Sequence, residues 1–161
     1  MGGDGWGVIG RPSPHALAAN SLFGGLSEPC RQQLLDRLER REIGADEVVY
    51  REGDIARELY IVESGRLEVF KPSAAAEVIM FEIGSGEFFG DLSFIDMQPR
   101  SMTVRASVPC VLWRLDYGAL RDVYQADIRC YTLLIMNIAR EISRRLRRSD
   151  LNWNPGVTDR R

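Results

Sequence analysis

The sequence predicts a mainly β fold with flanking helices, and three observations carry that prediction. Between Glu47 and Leu115 the chain breaks into short runs of β-branched and aromatic residues. Turns rich in glycine and proline separate those runs. On both sides of them apolar residues step by three and four, the period of a helix rather than a strand.

The elements follow in chain order. Met1 to Pro14 places four glycines in its first seven residues and adds two prolines, which predicts a flexible leader over 1–14. A short helix is expected around Ala16 to Ser21. Ser27 is placed to cap a helix opening at Glu28-Pro29, because proline is tolerated in a first turn. Leu34, Leu35 and Leu38 give that helix an apolar face, and Gly44 closes the region. Strands are expected at Val48–Tyr50, Leu59–Val62, Leu67–Phe70, Val78–Ile83, Met102–Ala106 and Val111–Leu115. The turns between them are Glu52-Gly53-Asp54, Ser64-Gly65, Pro72-Ser73, Gly84-Ser85-Gly86 and Val108-Pro109. Short, evenly spaced strands of this kind predict an antiparallel sandwich or barrel. Asp116 is a cap for a helix over Tyr117 to Tyr124. A longer helix runs from about Asp127 to Ser149, with Tyr131, Ile135, Ile138, Ile142 and Leu146 on one stripe. One domain over 15–150 and an irregular tail over 151–161 account for the 161 residues.

Composition narrows the function. A net charge of −2 makes the whole molecule a poor electrostatic match for nucleic acid. No run approaches membrane-spanning length and the N-terminus lacks an apolar signal core, so the expected location is cytoplasmic. The odd cysteine count, Cys30, Cys110 and Cys130, fits neither a disulfide framework nor a metal cluster, and reads as reduced, buried thiols. The single histidine, His15, lies in the leader, which speaks against a catalytic histidine or a histidine-rich metal site. No nucleophile–base pair or Walker motif is visible, so no enzyme is expected and no prosthetic group or metal is called for. Arg140, Arg144, Arg145, Arg147 and Arg148 form a basic run opposed by Glu141. The preferred reading is a solvated face whose cations suit a helix C-terminus; the alternative is a contact for nucleic acid or an acidic partner.

The most informative stretch is Gly84 to Val104, GSGEFFGDLSFIDMQPRSMTV. Glycine turns let backbone N–H groups approach a ligand closely. A guanidinium beside a hydroxyl, Arg100 and Ser101, can grip a phosphate. The carboxylate of Asp91 can accept from sugar hydroxyls. Together these suit a small phosphorylated sugar ligand rather than a catalytic centre.

These residues resemble the cyclic nucleotide-binding domain family. The family's phosphate-binding cassette, F-G-E-L/I followed after a few residues by P-R and a later V, stands here as Phe89-Gly90-Asp91-Leu92-Ser93-Phe94-Ile95, then Pro99-Arg100-Ser101-Met102-Thr103-Val104. Glu52-Gly53-Asp54, Leu59-Tyr60-Ile61-Val62, Gly65 and Gly86 fit as further landmarks. The resemblance covers roughly residues 22 to 150. It implies an antiparallel β-roll of eight strands, jelly-roll-like, with N-terminal helices and a long C-terminal helix. It implies that Arg100 pairs with a cyclic phosphate and that Ser101 and nearby backbone N–H groups assist. Gly90 and Leu92 would supply backbone approach, and Asp91 stands where the family's glutamate accepts the ribose 2′-hydroxyl. Phe89, Ser93, Pro99 and Thr103 complete the candidate set on the cassette, and Ser149 on the long helix is placed near the base. Aspartate is one methylene shorter than glutamate, about 1.5 Å of lost reach. Asp91 is therefore read as a ribose contact, weakened or made through a water, as the N-cap of a short helix, or as both.

The implied function is a cyclic mononucleotide (cAMP or cGMP) sensor that signals through its C-terminal helix, with an undefined downstream protein and a homodimer through that helix as partners. Too few residues follow the long helix for a DNA-reading module, so direct DNA binding is not expected. The alternative is a degenerate domain of the same fold used only for protein interaction or dimerisation.

Overall fold

The computed structural model describes residue 17 and residues 20–72 and 77–152. The leader, most of the short helix expected near Ala16, part of the turn after Pro72 and most of the tail lie outside the described residues. A short 3-10 helix, Ser21–Phe23, precedes α1, Glu28–Leu35. Eight strands follow: β1 Glu39–Ile43, β2 Val48–Tyr50, β3 Glu58–Ser64, β4 Arg66–Pro72, β5 Glu77–Gly84, β6 Phe88–Phe89, β7 Thr103–Ala106 and β8 Cys110–Asp116. Helix α2, Asp91–Asp96, interrupts them between β6 and β7, and α3, Tyr117–Ala126, and α4, Ile128–Asn152, close the chain.

All pairings are antiparallel, in two four-stranded sheets ordered β1-β8-β3-β6 and β2-β7-β4-β5. Strand β3 shows how the layers are built. Leu59, Tyr60, Ile61 and Val62 are all buried, so this strand is covered on both faces. Tyr60 and Val62 point into the roll, beside Leu67, Val69, Ile83, Phe89, Val104, Ala106 and Leu112. Leu59 and Ile61 point outward and join Phe88, Trp113 and Leu115 under the helices. Alternation along a strand sends Phe88 to the helical core and Phe89 to the roll interior, so that two-residue strand fastens both cores.

The caps act as expected: Ser27 Oγ accepts from the Cys30 amide, and Asp116 Oδ1 from the Ala119 amide. Two strands escape the sequence reading. β1 carries the charged sequence ERREI and buries only Ile43. Its arginines and glutamates are satisfied at the sheet edge, Arg40 by Glu42, Arg41 by Glu47 and Glu39 by Arg114, so no hydrophobic alternation is needed. β6 is too short to show a period.

The cysteine reading is corrected. Cys30 and Cys130 form a disulfide across a sequence separation of 100, and only Cys110 is a free, buried thiol. The first turn of α4 packs on α1, bringing the two Cα atoms to 5.7 Å, a proximity that spacing along the chain cannot reveal. The expected stripe on α4 forms and is seated largely within the domain itself. Ile138 is fully buried, and Tyr131, Ile135 and Ile142 pack against the chain's own helical core, while Leu146 is exposed. Asn137 reinforces that seating by donating to the carbonyls of Leu22 and Gly24.

Candidate functional site

The site is assembled where β6 leaves the sheet. Gly90 adopts φ +79°, and a Cβ there would lie 2.6 Å from Nη1 of Arg100. Glycine is required on both counts: backbone conformation and close approach. The αL turn starts α2, with Gly90 rather than Asp91 at the N-cap position and no side-chain cap. The capping alternative for Asp91 therefore falls, and its carboxylate is free for another partner.

Arg100 lies at the floor of the site, 3 % exposed. Its main chain is clamped by the Glu52-Gly53-Asp54 turn, the Gly53 amide donating to the Arg100 carbonyl and the Arg100 amide to the Asp54 carbonyl. Its guanidinium donates through Nη1 to the Gly90 carbonyl at 3.0 Å and through Nη2 to the Glu58 carbonyl at 2.7 Å and Glu58 Oε1 at 3.2 Å. Its plane sits 4.1 Å over the Tyr50 ring. Tyr50, Tyr60 and Phe89 form an aromatic nest around it. The Tyr60 hydroxyl donates to Glu58 Oε1 at 2.9 Å. Burial drives both tyrosine hydroxyls well above the usual phenol range, so both stay protonated donors.

Asp91 is 3 % exposed. Arg145 reaches down from α4 and donates through Nη1 to both Asp91 oxygens, at 2.9 and 3.1 Å, and through Nη2 to the Phe88 carbonyl. Burial pushes the Asp91 carboxyl above its ordinary value, and the Arg145 charge pulls it part of the way back. Glu141, 8 % exposed, braces the arrangement: it pairs with Arg144, Arg145 and Arg148 and accepts from the Ser21 hydroxyl. Arg145 thus does not belong to a solvated face. Its signal was its position, three residues after Ile142 and seven after Ile138, on the side of the helix that faces the core.

The other sequence-predicted residues divide. Phe89, Gly90, Asp91 and Arg100 converge. Ser93 is buried and donates to the Pro99 carbonyl at 3.3 Å, holding the loop that carries Arg100. Leu92 is half exposed, and Pro99 and Ser101 are exposed beside the arginine. Thr103 stands apart: its hydroxyl accepts from the Glu52 amide, and it lines a different cavity, of about 400 Å³, with Arg51, Phe70 and Arg105. Ser149 is exposed on α4, one turn beyond Arg145. Glu58, Tyr50 and Arg145 were not singled out from the sequence. The first two sit on strands whose composition shows no special chemistry.

Comparison with known proteins decides the family. The cyclic nucleotide-binding domain model matches residues 40–127, more than half of the chain. The chain belongs to that family. This cyclic nucleotide-binding domain is 34 % identical over 108 residues to a cAMP-dependent protein kinase regulatory subunit of Yarrowia lipolytica, covering 67 % of this chain and 28 % of that protein. It is 31 % identical over 136 residues to the cyclic AMP receptor protein of Thermus thermophilus, covering 84 % and 61 %. Among solved structures, the regulatory domain of Toxoplasma gondii PKA with cAMP superposes with a TM-score of 0.61 at 32 % identity, covering 70 % of this chain and 41 % of that one. The chain thus spans about a quarter of the length of the kinase subunit and about three fifths of the receptor. The expected β-roll and the family expectation both hold.

Proposed function

We propose that this domain binds a cyclic mononucleotide, cAMP or cGMP, between the cassette and α4, and reports occupancy by moving α4, without catalysing a reaction. Arg100 takes the cyclic phosphate, with Ser101 and the amides of Gly90 and Leu92 around it. Phe89 and Ser93 shape the floor, Pro99 sets the turn, and Asp91 receives the ribose hydroxyl. The observation that carries this reading is the pairing of Asp91 with Arg145. The residue aligned for the ribose is already tied to α4, so a ligand that engages Asp91 changes what α4 is held by. Ser149, four residues beyond Arg145 on the same helix face, contacts the base. Thr103 enters only through the Glu52 amide that it fixes.

A homodimer through α4 belongs to the same proposal. The stripe through Ile138 is consumed by the domain's own core, whereas Leu133, Met136 and Leu146 are exposed. A cytoplasmic location also belongs to the proposal. Among the described residues no helix is long and apolar enough to cross a membrane.

One observation favours the alternative, an interaction module that no longer binds nucleotide: Arg100 and Asp91 both already have internal ion partners. Calorimetric titration with cAMP and with cGMP separates the readings. Saturable binding to one of them, with ligand-dependent stabilisation against heat, is the expected result. No heat and no stabilisation with either at millimolar ligand would establish the interaction module instead.

A further inference from the structure

We propose that Glu58 is a built-in stand-in for the ligand's phosphate and sets the affinity of the site; this rests on the cyclic nucleotide reading above. The Arg100 guanidinium, 3 % exposed, needs an anion nearby, because an unpaired buried charge is strongly destabilising. Among the described residues the anion at hydrogen-bond distance is Glu58, with Oε1 3.2 Å from Nη2. The carboxylate does not find that place by chance. The Tyr60 hydroxyl holds the same oxygen at 2.9 Å, and Tyr60 is itself locked in the roll by stacking on Phe89 at 5.2 Å. The Glu58 main chain is fixed separately, its carbonyl accepting from Arg100 at 2.7 Å.

The consequence is a competition. An incoming phosphate and the Glu58 carboxylate carry charge of the same sign and seek the same guanidinium. Either the carboxylate withdraws or the two anions share the cation at close range, and both cost binding energy. The remaining partners of Arg100 do not compete, because the carbonyls of Gly90 and Glu58 are neutral and belong to the backbone. Glu58 therefore stabilises the empty site and weakens the filled one. That is the opposite of a positioning residue, whose removal loosens ligand and fold together.

Glu58→Gln separates these signs. The amide preserves size and can still accept from Tyr60, but removes the charge. The ligand-free variant should melt below wild type, because Arg100 loses its counter-ion. Its affinity for cAMP or cGMP should rise about tenfold or more, since a like charge has left the phosphate's neighbourhood. Tyr60→Phe is the second variant, chosen because it leaves Arg100 paired. Releasing the carboxylate should tighten binding in the same direction, by less. Inorganic phosphate serves as a probe independent of sugar and base. It should raise the melting temperature of Glu58→Gln more than that of wild type. Should neither nucleotide bind either protein while phosphate still distinguishes them, the nucleotide reading fails and the role of Glu58 stands. If Glu58→Gln binds nucleotide and phosphate no more tightly than wild type, or Tyr60→Phe binds more weakly, the role of Glu58 is overturned.

Discussion

The two ends of the candidate site are held by different means. At the phosphate end, the partners of Arg100 all come from the roll: the Tyr50 ring, the Glu58 carbonyl and carboxylate, and the Gly90 carbonyl. At the ribose end, the partner of Asp91 comes from α4, 54 residues further along the chain. The first arrangement gathers groups from both sheets of the roll around one guanidinium. The second joins the cassette to α4, an element that is fixed to the rest of the domain near its base, by the Cys30–Cys130 disulfide and by Asn137. In the proposed mechanism the phosphate end supplies affinity, and the ribose end, tied to α4, supplies the signal.

The largest effect expected from breaking this comparison is at the phosphate end. Arg100→Ala should lower nucleotide affinity by two orders of magnitude or more while the fold persists, because a charged, forked donor is removed and no lysine stands nearby. Arg100→Lys should recover little, since an ammonium cannot reproduce the fork. Calorimetry on both variants checks this, and wild-type affinity in either would remove Arg100 from the phosphate role.

That prediction was legible in the sequence, and it is instructive why other parts were not. Gly90 and Arg100 carry chemistry in their residue types: a glycine that must be αL, and an arginine after a proline turn. Ser27 and Asp116 announce their helices because capping is local. What stayed hidden depends on contacts remote in sequence. β1 looks like a charged loop until Arg114 and Glu47 supply its partners. Cys30 and Cys130 look like solitary thiols until α1 and α4 bring them together. Arg145 looks like one cation among five, and only its reach to Asp91 and the Phe88 carbonyl distinguishes it.

The next effect concerns the base of α4, far along the helix from Arg145. Replacing Cys30 and Cys130 together by serine should lower stability by about 2–4 kcal/mol, the usual cost of removing a native disulfide that closes a long loop. Because the bond lies away from the cassette, nucleotide affinity should change far less than stability. Denaturant unfolding with parallel titration tests this. A loss of affinity as large as the loss of stability would show that the base of α4 also governs the pocket.

Asp91→Glu sharpens the ribose end. The longer carboxylate should improve its bond to the ribose and tighten binding by on the order of 1 kcal/mol. Unchanged or weaker binding would mean that the site is shaped around aspartate and Arg145 together.

The smallest effect is one of pH. Burial raises the Asp91 carboxyl in the folded state against the pull of Arg145. Its contribution to stability is therefore fully present below the ordinary carboxylate value, about 4, and is lost as pH rises through the folded value. Carboxyl NMR should show one titration displaced upward that vanishes in Asp91→Asn. A midpoint at or below the ordinary value would show that the ion pair outweighs burial.

The central claim is that nucleotide occupancy reaches α4 through Arg145, and hydrogen exchange along α4 tests it most directly. With saturating cAMP or cGMP, amides of residues 138–149 in the wild type should change their protection by about tenfold or more, as expected when a helix changes what holds it. In Arg145→Gln, which should still bind nucleotide through Arg100, that change should disappear. Identical protection with and without nucleotide in the wild type, or an undiminished change in Arg145→Gln, would contradict the account.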